Sequence, residues 1–326
     1  MGESPETGLL VDKRAKIYLA GHDGMVGSAI LRNLRAKGYN NFVFTPYPEY
    51  DLADQKTVEF FFQHEKPDYV INAAAKVGGI LANNTFRAQF IYENLMIQNN
   101  LIHQSHLNNV KKLLFLGSSC IYPRACQQPI KEEYLLTGLL EQTNEPYAIA
   151  KIAGIKMCES YFQQYGSNFI SVMPTNLYGP ADNYDLNSSH VIPALIRKFH
   201  EAKQTGSSQV EVWGSGKPKR EFLYVDDMAD ACVFLFENLE AADLYSRGIS
   251  HINIGSGRDL TIGDLAQTIA DITEFQGEIL FDASKPDGVK RKLLDVGVLN
   301  NLGWKSQIDL RQGLELSYKW YRENYK

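Results

Sequence analysis

Tyr147 and Lys151 stand four residues apart in Glu145-Pro146-Tyr147-Ala148-Ile149-Ala150-Lys151. On a helix this spacing puts the phenol and the ammonium on one face, one turn apart. A phenol with its ordinary pKa near ~10 is a poor proton shuttle at neutral pH. An ammonium beside it favours the phenolate and lowers that pKa. The pair then suits proton transfer at an alcohol or ketone. Tyr and Lys share many plain solvated helix faces, so residues elsewhere decide the reading. Ser118 follows the apolar run Lys112 to Gly117, and its hydroxyl can hold the oxygen that Tyr147 also bonds. Cys120, two positions on, is close enough to line the same pocket. A thiol is most often a small buried hydrophobe, but beside cations it becomes a thiolate base. His190 lies at the loop-to-helix boundary Asn187-Ser188-Ser189-His190-Val191-Ile192-Pro193. Its near-neutral pKa makes it the natural acid partner for a base. A base and an acid on opposite faces of a ring carbon are what an epimerase needs.

The elements that hold these groups are legible in the pattern. Lys16 to Ala20 is a short apolar run of the kind that forms a buried parallel strand. Gly21-His22-Asp23-Gly24-Met25-Val26-Gly27 follows, then a helical pattern through Ala29, Ile30 and Leu34. Glycines spaced GxxGxxG between strand and helix form a dinucleotide fingerprint. Gly21 permits the tight turn, Gly24 lets a pyrophosphate near the backbone, and Gly27 lets helix and strand pack closely. The helix N-terminus faces the phosphates with its partial positive charge. Further strands are expected at Asn41–Thr45, Asp68–Asn72, Lys112–Gly117, Phe169–Met173, Ile252–Gly255 and Glu278–Phe281. Helices are expected at Gln55–Phe62, Ala88–His106, Tyr147–Tyr165, Val191–Ala202, Asp226–Phe236 and Leu310–Tyr321, with one more after Thr261. This alternation predicts a parallel α/β sheet. From Pro174, the run Gly179, Pro180, Asp182, Asn183 and Asn187 reads as a long functional loop.

The chain has 326 residues, 44% hydrophobic and 22% charged, as in an ordinary globular protein. A net charge of −5 argues against nucleic-acid binding by bulk electrostatics. No apolar stretch reaches membrane-spanning length, so no membrane partner is expected. Residues 1–14 are polar and mixed in charge, without an apolar leader core, and read as a disordered extension. Cys120, Cys126, Cys158 and Cys232 show no metal spacing. They predict reduced thiols in a cytoplasmic protein and no bound metal.

GxxGxxG followed by YxxxK resembles the extended short-chain dehydrogenase/reductases. More specific strings run in order along the chain. They are 72–80 (NAAAKVGGI), 117–123 (GSSCIYP), 147–151 (YAIAK), 174–180 (PTNLYGP) and 220–227 (REFLYVDD). Together they resemble the GDP-L-fucose synthase family, from Lys16 to the C-terminus. The resemblance implies a Rossmann-type doubly wound parallel sheet with a smaller C-terminal α/β substrate domain. The dinucleotide domain would take 15–178 and 226–256, and the sugar-nucleotide domain 179–225 and 257–326. It implies a bifunctional 3,5-epimerase and 4-reductase acting on GDP-4-keto-6-deoxy-D-mannose, and a homodimer built on helices around Asn94–Leu101 and Ile149–Tyr161.

By that resemblance Cys120 and His190 match the base and acid that invert C3 and C5. Ser118, Tyr147 and Lys151 match the reductase triad. Gly21, His22, Asp23, Gly24, Met25, Val26, Gly27, Tyr47, Asp51, Leu52, Ala74, Leu116, Gly117, Ser118 and Ser119 would line the cofactor. So would Tyr147, Lys151, Pro174, Thr175, Asn176, Leu177 and His190. Cys120, Asn176, Lys198, Trp213, Arg220 and Asp287 would hold the GDP-sugar. One departure stands out. The family is NADP-dependent and carries arginines near the 2′-phosphate, where this chain has Asp23 and Tyr47. NADP(H) is the family's implication; these two residues raise NAD(H) as the alternative. Two other readings compete: another 4-epimerase, 4-reductase or dehydratase of the same fold, or a catalytically silent dinucleotide-binding regulator. A dehydratase needs a carboxyl pair where this chain has Ser118-Ser119-Cys120, and a silent protein has no reason to keep Tyr147, Lys151 and Cys120.

Overall fold

Alternate residues of the first strand, β1 (Ile17–Ala20), enter different cores. Ile17 and Leu19 pack into one hydrophobic cluster, Tyr18 and Ala20 into another. Side chains of a strand alternate between faces, so a strand apolar at every position belongs between two layers of helices. The computed structural model describes residues 11–186, 188–285 and 287–325. In it β1 is followed by α1 (Met25–Ala36), β2 (Phe42–Val43), α2 (Gln55–Glu65), β3 (Tyr69–Asn72), α3 (Ile80–Thr85), α4 (Arg87–Leu107), β4 (Lys112–Leu116), α5 (Glu145–Tyr165) and β5 (Phe169–Pro174). After β6 (Asn176–Tyr178) come α6 (Val191–Thr205), β7 (Gln209–Trp213), β8 (Lys219–Tyr224), α7 (Val225–Asn238), α8 (Ala241–Tyr245) and β9 (Ile252–Ile254). The chain ends with β10 (Asp259–Thr261), α9 (Ile262–Thr273), β11 (Glu278–Asp282), β12 (Arg291–Lys292), α10 (Gly297–Asn301) and α11 (Leu310–Asn324).

Six strands form one parallel sheet in the order β2-β1-β3-β4-β5-β9. The chain runs outward from β1 to β2, then returns to place β3 on the other side of β1. Ligands of open α/β sheets bind at such a reversal, outside the carboxyl ends of the strands. A separate cluster joins Tyr178, Phe199, Val212, Phe222, Leu265, Ile269 and Leu314. There β8 pairs with β6, β10 and β12, and β7 pairs with β11.

Helix ends follow local chemistry. Asp54, Thr261 and Asp309 accept from the first turns of α2, α9 and α11, each worth about 1 kcal/mol. Pro146 sits in the first turn of α5, where its missing N–H costs nothing, and Gly166 closes the helix at φ 72.

Four expectations change. Strand two shortens to Phe42–Val43, because Phe44 and Thr45 turn towards the glycine loop and Tyr18. The stretch after Pro174 is a loop only beyond β6, whose register with β8 captures Asn176–Tyr178; Asn187 lies outside the described residues. The first ten residues also lie outside them, but Val11 is buried in the core, so the chain is ordered before residue 15. Leu299 and Trp304 pack into the sheet's core, whereas 257–326 was assigned to the substrate side. Among the described residues no helix is long and apolar enough to cross a membrane, and all four cysteines are free thiols.

Candidate active site

The glycine loop leaves β1 at the sheet's reversal. Gly21 has φ +77, and a Cβ there would stand 2.8 Å from the Ala74 nitrogen, just past β3. A Cβ on Gly27 would collide with the Gly21 carbonyl. Both glycines are therefore demanded by the protein's own packing. Gly24 differs: it is exposed, caps α1, and its nearest neighbour would be 3.6 Å away. Its open side is where a diphosphate can approach the backbone. Val26 and Met25 pack from α1 onto the core. His22 stacks on Phe44, with ring centroids 4.3 Å apart. His22 Nδ1 and Asn72 Nδ2 are buried without a hydrogen-bond partner among the described residues. The cradle fits a dinucleotide. Asp51 closes its own turn through the Ala53 N–H, and the Leu52 carbonyl accepts from Asn100 of α4.

The reacting groups meet at the carboxyl end of β4 and the start of α5. Gly117 has no room for a side chain because Met173 fills it. Leu116 ends β4, and its carbonyl accepts from Lys151 Nζ at 2.9 Å. Ser118 then caps a short turn through Ser119 and Cys120, accepting from the Cys120 N–H at 3.5 Å. Hydrogen bonding from Ser118 favours the anions of both Cys120 and Tyr147. Phe90 meets the Tyr147 ring edge-on, and Asn94 ties α4 to the loop after β3 through Lys76. The expected Tyr-Lys coupling needs correction. Lys151 Nζ is 5.8 Å from the Tyr147 ring centroid, and one of its N–H groups donates to the Leu116 carbonyl. Burial pushes the Tyr147 phenol well above its ordinary pKa, and burial pulls the Lys151 ammonium down to about 8. The Cys120 thiolate is corrected likewise: burial raises the thiol, against the opposing pull of Lys292, Ser118 and Lys151.

His190 is the cap residue of α6. Its loop is pinned to the start of α3 by the Gly79 N–H, which donates to the Ser188 carbonyl at 3.1 Å. His190 is exposed as a residue, yet desolvation of its ring by the surrounding protein lowers the imidazole pKa, and Lys292 adds to the effect. Lys292 was absent from the sequence reading. It sits in β12 opposite Arg220 of β8, and its ammonium has no hydrogen bond or ion pair among the described residues. Its charge is felt by Cys120 and His190 and by Arg220 and Glu221. An unpaired, largely desolvated cation favours any anion that forms beside it.

Beyond Lys292 lies the predicted substrate rim. Lys198 and Lys285 stand over the exposed Trp213 ring at 5.3 and 5.4 Å. Arg220 donates to the Asp287 carbonyl, while the Asp287 carboxylate holds the Ser215 N–H and hydroxyl. Lys285 too was absent from the sequence reading. Asn176 and Thr175, following Pro174 of β5, donate to the Glu221 carbonyl at 2.8 and 3.3 Å. Leu177 continues that register against Leu223. A continuous strip thus runs from an aromatic and cationic rim, past Arg220 and Lys292, to Cys120, His190, Ser118 and Tyr147.

The family model for the NAD dependent epimerase/dehydratase family matches residues 17–255. A GDP-L-fucose synthase of Arabidopsis thaliana is 56% identical over 98% of this chain and 97% of its own. That of Escherichia coli is also 56% identical, over 95% and 98%. The chain belongs to the NAD-dependent epimerase/dehydratase family. Within that family it groups with the GDP-L-fucose synthases. A solved GDP-mannoheptose C4 reductase of Campylobacter jejuni with NADP bound is 44% identical, covers 96% of this chain and 99% of its own, and superposes with a TM-score of 0.89. The chain is an oxidoreductase with a nicotinamide dinucleotide cofactor.

Proposed function

We propose that the protein converts GDP-4-keto-6-deoxy-D-mannose to GDP-L-fucose by inverting C3 and C5 and then reducing C4. The observation that carries this reading is a thiol, Cys120, beside the Ser118–Tyr147 hydroxyl pair, with Cys120 and His190 both facing the charge of Lys292. A reductase alone needs no such base. The 4-keto group acidifies the carbons on either side of it. Cys120 removes a proton from one face while Ser118 and Tyr147 hold the enolate oxygen, and His190 returns a proton on the other face. Lys292 stabilises the thiolate and keeps His190 ready to hand over its proton. When bound, the reduced nicotinamide supplies the hydride that reduces C4. Tyr147 gives the new alkoxide its proton, and Lys151, with its lowered pKa, restores the proton and orients the site. Trp213 stacks the guanine, and Arg220 with Lys198 pairs the diphosphate. The cofactor is NADP(H) or NAD(H), and two copies of the chain associate through α4 and α5.

The test is incubation with GDP-4-keto-6-deoxy-D-mannose and reduced cofactor in deuterated water. The expected product is GDP-L-fucose carrying deuterium at C3 and C5, formed with loss of nicotinamide absorbance. Reduction without deuterium at either carbon would reject the epimerase half of the reading.

A further inference from the structure

The adenosine end of the cradle is short of positive charge. Residues 21–27 and 42–54 contain no Lys or Arg, but they contain Asp23, Glu49, Asp51 and Asp54. The His22–Phe44 stack brings the two segments together, so Asp23 lies next to the chain leaving β2. The Asp23 carboxylate is exposed and makes no hydrogen bond or ion pair among the described residues. Thr45 cannot serve, because its hydroxyl is buried against Tyr18 at 2.8 Å. Tyr47, 77% exposed, offers a neutral hydroxyl.

The cations around this end are engaged elsewhere. Arg32 pairs with Asp226, and Lys37 with Asp230 and Glu237. Lys76 bonds both oxygens of Glu93. Lys56 faces Asp54. Arg35 covers the Phe42 ring near the far end of α1, roughly 15 Å along the helix from Met25. A 2′-phosphate needs charge-assisted partners, whereas a free 2′-hydroxyl needs an acceptor such as a carboxylate. The dinucleotide cradle fits; the phosphate site does not.

We propose that Asp23 and Tyr47 make this pocket accept NADH on at least comparable terms with NADPH, with Asp23 as the acceptor for the adenosine ribose. The proposal rests on the dinucleotide reading of the site and is independent of which sugar is turned over. The test is therefore direct binding without sugar: calorimetric and fluorescence titration of the full chain with NADH and NADPH. Wild type is expected to bind the two cofactors within tenfold of each other in Kd or to favour NADH. Asp23→Arg and Tyr47→Arg are each expected to move the ratio towards NADPH by about tenfold, or about 1.4 kcal/mol. A wild-type preference for NADPH of tenfold or more overturns the proposal. So does a ratio that Asp23→Arg leaves unchanged, which would mean another cation reads the phosphate. Binding of neither cofactor overturns it together with the dinucleotide reading. Asp23 is exposed and unbonded, and the wild-type titration decides the question even if a variant fails to fold.

Discussion

Lys292 carries charge to Cys120 and His190 from a strand remote in sequence, and its removal should separate the two proposed half-reactions. A thiolate becomes more abundant as pH rises through the thiol pKa. Without the ammonium that pKa rises, so Lys292→Met should move the rising limb of C3 and C5 deuterium exchange to higher pH. An unshifted exchange profile would remove Lys292 from the mechanism. Cys120→Ser and His190→Asn should slow this exchange more than they slow hydride delivery; normal exchange in both would reject the acid-base pair. Tyr147→Phe loses one hydroxyl and should lower reduction by ~10²–10⁴-fold with the fold intact. Cofactor oxidation within about tenfold of wild type would count against Tyr147. Tyr147, Lys151, Ser118 and Cys120 were readable because helix period and strand ends are local features. Lys292 was not, since β12 reaches the pocket only by pairing with β8. The state of Tyr147 is set by burial, which residue spacing does not encode.

At the scale of elements, buried carboxylates do the joining. Glu221 is fully buried and accepts from the Leu294 and Gly257 N–H groups, tying β8 to the run after β12 and to the turn after β9. Glu132 accepts from the Asn253 N–H of β9 beside the Tyr122–His251 pair. Burial pushes Glu132 up to about 7 from an ordinary carboxylate value. The folded form then holds a proton that the unfolded chain has lost between about pH 4.5 and 7. Stability conferred by that proton is present at acid pH and is lost as pH rises through 7. Glu132→Gln keeps the acceptor without the charge, so the variant should lose less stability between pH 5 and 8 than wild type. Asp182, also raised to about 7 by burial, has the same sign and persists in the variant, so the slope should shrink rather than vanish. Equal slopes in thermal unfolding across that range would refute the assignment. The parallel strands of the main sheet were legible as apolar runs. β8 was missed because its polar start, Lys219-Arg220, breaks the apolar run. β7 alternates exposed and buried residues, a strand pattern legible in the sequence itself.

At the scale of the whole molecule, α4 and α5 leave an apolar face uncovered. Each has 21 residues, roughly 30 Å of helix. On α4, Tyr92, Met96, Asn99, His103 and Leu107 recur at helical spacing, and Tyr92 and Leu107 are 62% and 56% exposed. On α5, Ile149, Ala153 and Met157 recur every fourth residue. The two stripes meet in a groove lined by Met96, Asn99, His103 and Met157. An exposed apolar surface across two packed helices suits a two-fold partner presenting the same pair, which would close a four-helix bundle. The chain should therefore sediment as a homodimer at micromolar concentration. Tyr92→Glu combined with Met157→Glu places a buried charge on each side of the two-fold and should yield monomers. Those monomers should still bind the dinucleotide, because the cradle of Gly21, Gly24 and Gly27 is built from one chain. A wild type that sediments as a monomer refutes the dimer. A double variant that stays dimeric moves the interface to another face.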